Sequence, residues 1–287
     1  MSILLITSPP VQPSWTQVLL YALVPAAVMV VGAVIAIIRP PGAAIRSAIL
    51  HFAAGVVFSV VAVELLPDIV KRHRPLEVGL GFGIGVALML ALRYFTRQAA
   101  AKESATGSAT PPFPLPPGVM WASEATPGAE QVAGVAAAAT PAATLPMGLL
   151  TGVGIDILID GLLLGIGFAA GAKEGLLLAV ALTIEVLSLG LATAIELRQQ
   201  GQGKARAVGI VAALSGLLVV GAGIGITVLQ GASDNVMELV LAFGLAALLF
   251  LVTEELLTEA HDGPESPWLT SAFFVGFLLF LLLGMVA

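Results

Sequence analysis

The chain has 287 residues, of which 58% are hydrophobic and only 10% are charged, a balance that excludes an ordinary water-soluble protein. Its net charge of −6 comes from carboxylates spread along the chain, and no basic cluster suits a nucleic-acid backbone. Because there is no cysteine, disulfides, thiolate metal sites and thiol redox chemistry are excluded. Any metal ligands must therefore be oxygen or nitrogen atoms.

Eight apolar stretches are long enough to cross the hydrocarbon core of a bilayer, which requires about 20 residues per helix. A helix satisfies its own backbone hydrogen bonds there, and these long runs lack the alternation of membrane strands. The sequence therefore predicts an all-α membrane protein with eight transmembrane helices. The predicted spans are residues 16–38, 48–70, 77–96, 147–170, 175–197, 207–229, 237–259 and 267–286.

The basic residues predict the orientation of these spans. An even number of spans puts both termini on one side of the membrane. With the termini outside, eight of the twelve Lys and Arg residues lie inside, as the positive-inside rule requires. The chain is therefore predicted to be a multi-pass protein of the cell (inner) membrane with both termini outside.

Residues 98–146 interrupt the hydrophobic pattern with a segment rich in Ala, Pro, Ser, Thr and Gly. Such a composition lacks the apolar periodicity of a folded unit and predicts a disordered cytoplasmic linker. The linker separates residues 1–97, with the first three spans, from residues 147–287, with the last five. The spans together are predicted to form one integral membrane domain.

Glycines recur inside two of the spans. A dinucleotide-binding interpretation would need a strand before the glycine turn, which a membrane span does not supply. Small residues also let transmembrane helices approach closely, and this is the interpretation that the sequence favours. The glycines are Gly79, Gly81, Gly83 and Gly85 in the third span and Gly221, Gly223 and Gly225 in the sixth.

Asp156 and Asp160 lie within the fourth span, spaced so that they share one helical face. A carboxylate at mid-bilayer costs a few kcal/mol, so such residues usually face a bundle interior or a watery cavity. Two anions one turn apart repel each other unless a proton or a bound cation lies between them. The pair is therefore a candidate cation site.

The fifth span adds Glu185 and Ser188. The connection around residues 171–175 is short, which forces the fourth and fifth spans to be antiparallel neighbours. Asp160 and Glu185 each lie about 15–20 Å from that connection, so they can meet at a similar depth. The predicted metal site consists of Asp156, Asp160, Glu185 and Ser188. The alternative is that these are protonated or hydrogen-bonded packing residues.

Further polar residues lie nearer the ends of spans two and seven. They could follow a cation pathway or form interfacial pairs with Lys and Arg of the loops, and both interpretations stay open. His51 and His73 are predicted to be isolated, structural or solvated histidines. Because no Ser-His-Asp, Cys-His or two-histidine metalloprotease pattern appears, the chain is not predicted to be an enzyme. The pathway candidates are Glu64, Asp68, Glu255, Glu259 and His261.

Two segments resemble the ZIP (Zrt/Irt-like) family of divalent metal transporters. His51-Phe-Ala-Ala-Gly55 through Glu64-Leu-Leu-Pro-Asp68 is similar to the second helix of that family. The segment that runs from Leu241 through Glu255-Leu-Leu-Thr-Glu259-Ala-His261 is similar to its seventh helix. The resemblance implies eight helices, outside termini, a long third connection and an inverted repeat that relates helices 1–3 to helices 6–8.

The metal motifs depart from those of the family, which has His-Asn-x-Pro-Glu-Gly-like sequences in helices four and five. Asp156 stands where the resemblance implies a histidine, while Asp160 and Gly161 retain the acid and the glycine. In the fifth span Glu185 stands in place of histidine and Leu189 in place of the second acid. The resemblance therefore implies that one metal site is kept and that the adjacent second site is lost.

These observations predict a ZIP-like transporter of a divalent metal cation, with its carboxylate site between helices four and five. The alternative is a ZIP-fold protein that no longer transports metal and acts as a scaffold, a sensor or a carrier of another solute. The metal is a substrate and no prosthetic group is predicted. Oxygen ligands suit hard ions, but zinc, manganese, iron and magnesium are not distinguished. The expected partners are the lipid bilayer and the cation, and a homodimer is left open.

Overall fold

The structure, a computed structural model, describes residues 14–107, 145–229, 232–261 and 266–286. These residues contain eight helices that are long and apolar enough to cross a membrane, and they contain no strand. The prediction of an all-α, multi-pass membrane protein is confirmed. The helices are α1 (Trp15–Ile38), α2 (Ala43–Arg72), α3 (Pro75–Gly107), α4 (Met147–Ala170), α5 (Ala172–Gln199), α6 (Lys204–Leu229), α7 (Asp234–His261) and α8 (Pro267–Val286).

The predicted boundaries agree with these helices except around α2 and α3. Helix α2 begins at Ala43, five residues before the predicted span. Helix α3 continues beyond residue 97 as far as Gly107. Residues that follow the third span include several alanines, which favour helix even where hydropathy has fallen. The rest of the predicted linker, residues 108–144, lies outside the described residues.

Helices α2 and α7 each contain one wider, π-helical turn. These turns are Val61–Leu65 in α2 and Leu251–Leu256 in α7. Each turn contains the acid of a Glu-Leu-Leu sequence, Glu64 in the first and Glu255 in the second. Single π-helical turns inside α-helices occur frequently at functional sites. The two acids therefore occupy equivalent positions in two helices with the same irregularity.

The four most extensive helix contacts form a reciprocal scheme. Helix α2 packs on α8 and α3 packs on α7, while α1 packs on α5 and α4 packs on α6. Exchanging the first three helices with the last three, and α4 with α5, leaves this scheme unchanged. Such reciprocity is what an inverted repeat of helices 1–3 and 6–8 produces.

Two of the four glycines of the third span pack closely against another helix, α7. A Cβ on Gly81 or Gly85 would collide with α7, whereas Gly79 and Gly83 have nothing within 4 Å. Gly81 and Gly85 are one turn apart and therefore share a face, and the other two point away from it. The prediction of close packing is thus confirmed for two of the four glycines.

Helices α4 and α6 approach each other through glycines on both sides. A Cβ on Gly161 would collide with the backbone of Leu218, and one on Gly221 would collide with the backbone of Leu158. Gly225 lies equally close to α4, but a Cβ on Gly223 would make only an ordinary contact. The predicted close packing of the sixth span therefore holds for Gly221 and Gly225.

The predicted orientation can be tested by cysteine labelling, since the chain has no native thiol. We expect Gly107→Cys, at the end of α3, to be protected from a membrane-impermeant maleimide added outside intact cells. His73→Cys is the matched control, because exposed His73 lies between α2 and α3 at the opposite end of α3 and should react. The reverse labelling pattern would show that both termini face the cytoplasm.

Candidate functional site

Asp156 and Asp160 lie on one face of α4, as the sequence predicted, but at different depths in the bundle. Asp156 is half-buried and lines a cavity, whereas Asp160 is fully buried. Both carboxylate oxygens of Asp160 lack a hydrogen-bond partner in the structure. A buried carboxylate without hydrogen bonds is costly unless a proton or a cation neutralises it.

Glu185 of α5 comes within electrostatic range of both aspartates, so the predicted meeting of α4 and α5 carboxylates occurs. Only Gly171 separates α4 from α5, and the two helices therefore run antiparallel as neighbours. The Glu185 side chain is buried, and its Oε2 atom has no hydrogen-bond partner. Asp160 and Glu185 together form a buried pair of carboxyl groups inside the bundle.

Ser188, the fourth predicted ligand, is buried one turn along α5 from Glu185. Its hydroxyl donates a hydrogen bond of 2.6 Å to the backbone carbonyl of Glu185. A hydroxyl that donates in this way still has acceptor lone pairs. Ser188 therefore has an oxygen available, although its donor is used within its own helix.

Glu255 of α7 also belongs to this group, although its sequence position predicted only a place on the cation pathway. Its carboxyl group lies within electrostatic range of Asp156, Asp160 and Glu185. The carboxylates of α4, α5 and α7 therefore form one interacting group. The sequence feature that could have indicated a role for Glu255 is the Glu-Leu-Leu sequence that α7 shares with α2.

A cavity of about 410 Å³ leads to this group from one end of the bundle. That end is where α3 and α7 finish and α4 begins, and we call it the linker side. Arg93 lies in the cavity wall, forms an ion pair with Glu254 and lies over the ring of Phe250. The cavity is therefore strongly acidic with one basic side chain. Its acidic lining residues are Asp156, Glu254, Glu255 and Glu259.

The opposite end of the bundle, which we call the far side, has a much smaller pocket. Glu64 and Asp68 line a pocket there of only about 20 Å³. Glu64 lies 3.8 Å from the Nζ atom of Lys173, and Asp68 pairs with Arg72 at 3.1 Å. On α4 the wide cavity reaches Ile159 and the small pocket begins at Leu163. Asp160 therefore lies between the two.

The last two pathway candidates, Glu259 and His261, lie at the linker-side end of α7. Glu259 forms an ion pair with Arg46 of α2. The ring of His261 lies 5.1 Å from the ring of His51, centroid to centroid. The prediction that His51 is isolated is wrong, because a residue 210 positions later in the chain packs against it. The prediction for His73 is compatible with its exposed place at the end of α2.

The acidic side chains lie at different depths between the linker side and the far side, and they do not surround a single point. In the described part of the chain, no three His, Asp or Glu side chains have an arrangement that could hold a metal ion. In comparisons with known proteins, no family model and no curated protein matches the chain. The chemistry of these acids is therefore the basis for a functional proposal.

Proposed function

We propose that this protein is a ZIP-like transporter that moves a divalent metal cation through the carboxylates of α4, α5 and α7. The observation that carries the proposal is the buried pair of Asp160 and Glu185, in which both oxygens of Asp160 and Oε2 of Glu185 lack hydrogen-bond partners. Ionisable residues inside a membrane usually mark the path of an ion or a proton. The resemblance of α2 and α7 to the ZIP family supports the same function.

The acids suggest a route for the cation. On the linker side of this route, a cation in the cavity lies beside Asp156 and Glu255, and Asp160 and Glu185 follow one turn deeper. Glu64 and Asp68 would contact the cation when the far side is open, whichever way the cation moves. Transporters with inverted repeats alternate between two such openings around a central site.

The cation is the substrate in this proposal, and its ligands are carboxylate oxygens. Such ligands suit Mn²⁺, Mg²⁺ and Ca²⁺, while the family resemblance keeps Zn²⁺ and Fe²⁺ among the candidates. Carboxylates must lose their protons to bind a metal, so protons should compete with it.

In this proposal the linker side is cytoplasmic, both termini are outside, and the protein lies in the cell (inner) membrane.

A second candidate function is a ZIP-fold scaffold, sensor or carrier of another solute. The absence of a three-ligand arrangement among the described residues favours it, as does Leu189 where the family has an acid. The acids would then be protonated or hydrogen-bonded groups of the bundle interior. The two candidates differ in whether a metal ion stabilises the protein by binding to the buried acids.

Glu185→Gln is expected to abolish metal-dependent stabilisation and metal uptake. In the wild type, metal at about 100 times its Kd should add about 2.7 kcal/mol to the free energy of unfolding. Removing the buried Glu185 anion should remove most of that gain. The measurements are thermal unfolding of purified protein with Mn²⁺ or Mg²⁺, which prefer carboxylate oxygens to imidazole, and uptake into proteoliposomes.

Glu196→Gln is the matched control for this substitution. Glu196 lies on the same helix but accepts a hydrogen bond from Gln200 near its linker-side end. We expect this variant to retain both metal-dependent stabilisation and uptake. A wild type that none of the metals stabilises would refute metal transport and favour the second candidate.

A further inference from the structure

His51 and His261 meet at the linker-side ends of α2 and α7, outside the carboxylate group described above. Their ring centroids are 5.1 Å apart and the rings are inclined by 60°. The Ser47 hydroxyl donates a 2.9 Å hydrogen bond to the Ala260 carbonyl, which ties the two helices together beside the rings. Both histidines therefore lie beside a hydrogen bond that holds α2 and α7 together.

Hydrogen bonds to the backbone determine which nitrogen of each ring is free. Nδ1 of His51 lies 2.9 Å from the Ser47 carbonyl oxygen, and Nδ1 of His261 lies 2.6 Å from the Leu257 carbonyl oxygen. A carbonyl can only accept, so each Nδ1 carries a proton and donates it. The neutral ring then presents a lone pair on Nε2. Metal-binding histidines are commonly held in this way by a backbone carbonyl.

The Nε2 atom of His51 is a buried acceptor without a partner. The residue is only 3% exposed, and no hydrogen bond reaches that nitrogen. His261 is exposed, so the ring pair can be reached from the linker side. The Nε2 lone pair of His51 is fixed, buried and unpartnered, and it lies beside an accessible imidazole. Such an arrangement is suited to binding a metal ion through nitrogen.

The separation of the rings fits a shared metal ion. Two imidazoles that bind Zn²⁺ through Nε2, at about 2.0–2.1 Å and a tetrahedral angle, have ring centres about 5 Å apart. The observed separation is 5.1 Å. Two protein nitrogens leave further coordination positions for water, so the ion would exchange readily.

We propose that His51 and His261 form a two-imidazole site for a transition-metal ion of the Zn²⁺, Ni²⁺ or Cu²⁺ class on the linker side. Imidazole selects these ions, whereas Mg²⁺, Ca²⁺ and Mn²⁺ prefer carboxylate oxygens. Glu259, two residues before His261, lines the cavity that leads to Asp156. The site holds such an ion beside that cavity, and it stands whether or not the buried acids carry metal.

The test is calorimetric titration of the full-length, detergent-purified protein with Ni²⁺, after removal of any histidine tag. The chain contains three histidines, so each can be replaced in turn. We expect His261→Ala and His51→Ala each to weaken Ni²⁺ binding at least tenfold. His73→Ala is the matched control, since His73 lies at the far-side end of α2, and it should bind like the wild type. Wild-type affinity in His261→Ala would overturn the proposal.

A second measurement covers the case in which buried His51 is needed for folding. His261→Cys introduces a single thiol into a chain without cysteine and keeps a zinc ligand at this position. Zn²⁺ should protect that thiol from maleimide at least fivefold, and His261→Cys with His51→Gln should lose the protection. Equal reaction rates with and without Zn²⁺ would overturn the proposal.

The Asp160→Asn variant separates this site from the proposed transport function. It should retain wild-type Ni²⁺ binding, because the histidine pair does not include Asp160. If it retains Ni²⁺ binding but the wild type carries no metal, the transport proposal fails and the histidine site remains. If Asp160→Asn abolishes Ni²⁺ binding, the ion binds at the buried acids and the histidine site is refuted.

Discussion

Asp160→Asn is expected to weaken the binding of Mn²⁺ or Mg²⁺ at the carboxylates at least tenfold while leaving the metal-free protein as stable as the wild type or slightly more so. Asn has nearly the shape of Asp but no charge. The change removes one anion from a group in which Asp156, Glu185 and Glu255 also interact. Less repulsion favours the metal-free fold, whereas the loss of an anionic ligand disfavours the metal-bound state.

The two effects have opposite signs, and this distinguishes a binding residue from a structural one. A carboxylate that serves as a buried structural partner would, when removed, cost about 3–5 kcal/mol in the metal-free protein. The Asp160 oxygens have no hydrogen-bond partner, so no such partner would be left unpaired. Strong destabilisation of metal-free Asp160→Asn with unchanged uptake would contradict the site assignment.

Thermal unfolding with and without metal, at several pH values, measures both effects. Metal-dependent stabilisation of the wild type should fall as the pH falls, because protons compete for the carboxylates. Asp234→Asn, an exposed acid in the first turn of α7, is the control and should behave like the wild type. An unchanged metal response across the acidic range would argue against carboxylate ligands.

Gly221→Ala is expected to destabilise the protein by about 1–3 kcal/mol, as overpacking of a close contact does. A Cβ at this position would collide with the carbonyl oxygen of Leu158 and the backbone nitrogen of Leu162 in α4. Backbone atoms cannot rotate away, so α4 must shift as a whole. Leu158 lies between Asp156 and Asp160, and the shift should therefore also weaken metal binding.

Gly216→Ala is the matched control, because it makes the same substitution on the same helix. Nothing lies within 4 Å of a Cβ at Gly216. Alanine is a better helix former than glycine by up to about 1 kcal/mol, so this variant should be equal to the wild type or more stable. Thermal unfolding of both variants in one detergent measures the difference. Similar midpoints for the two variants would show that the contact between α4 and α6 tolerates a methyl group.

The sequence by itself determined the fold class and three of the four carboxylates of the candidate site. Apolar runs of membrane length must form helices, because only a helix satisfies its backbone groups within each run. The spacing of Asp156 and Asp160 places them on one helical face whatever surrounds the helix. The short connection at Gly171 forces Glu185 of the next helix to a similar depth. These conclusions needed only local geometry and the thickness of a bilayer.

Only the tertiary structure decided which distant residues meet. Glu255 joins Asp156, and His261 meets His51, across helix contacts that close long stretches of chain. Hydropathy cannot predict such contacts, because every span is apolar and many different pairings of helices would bury its surface equally well. Steric fit between helix surfaces selects one pairing, as the glycines of α3, α4 and α6 show. The roles of these residues thus depend on side-chain volume and helix position, which a one-dimensional pattern of polarity does not contain.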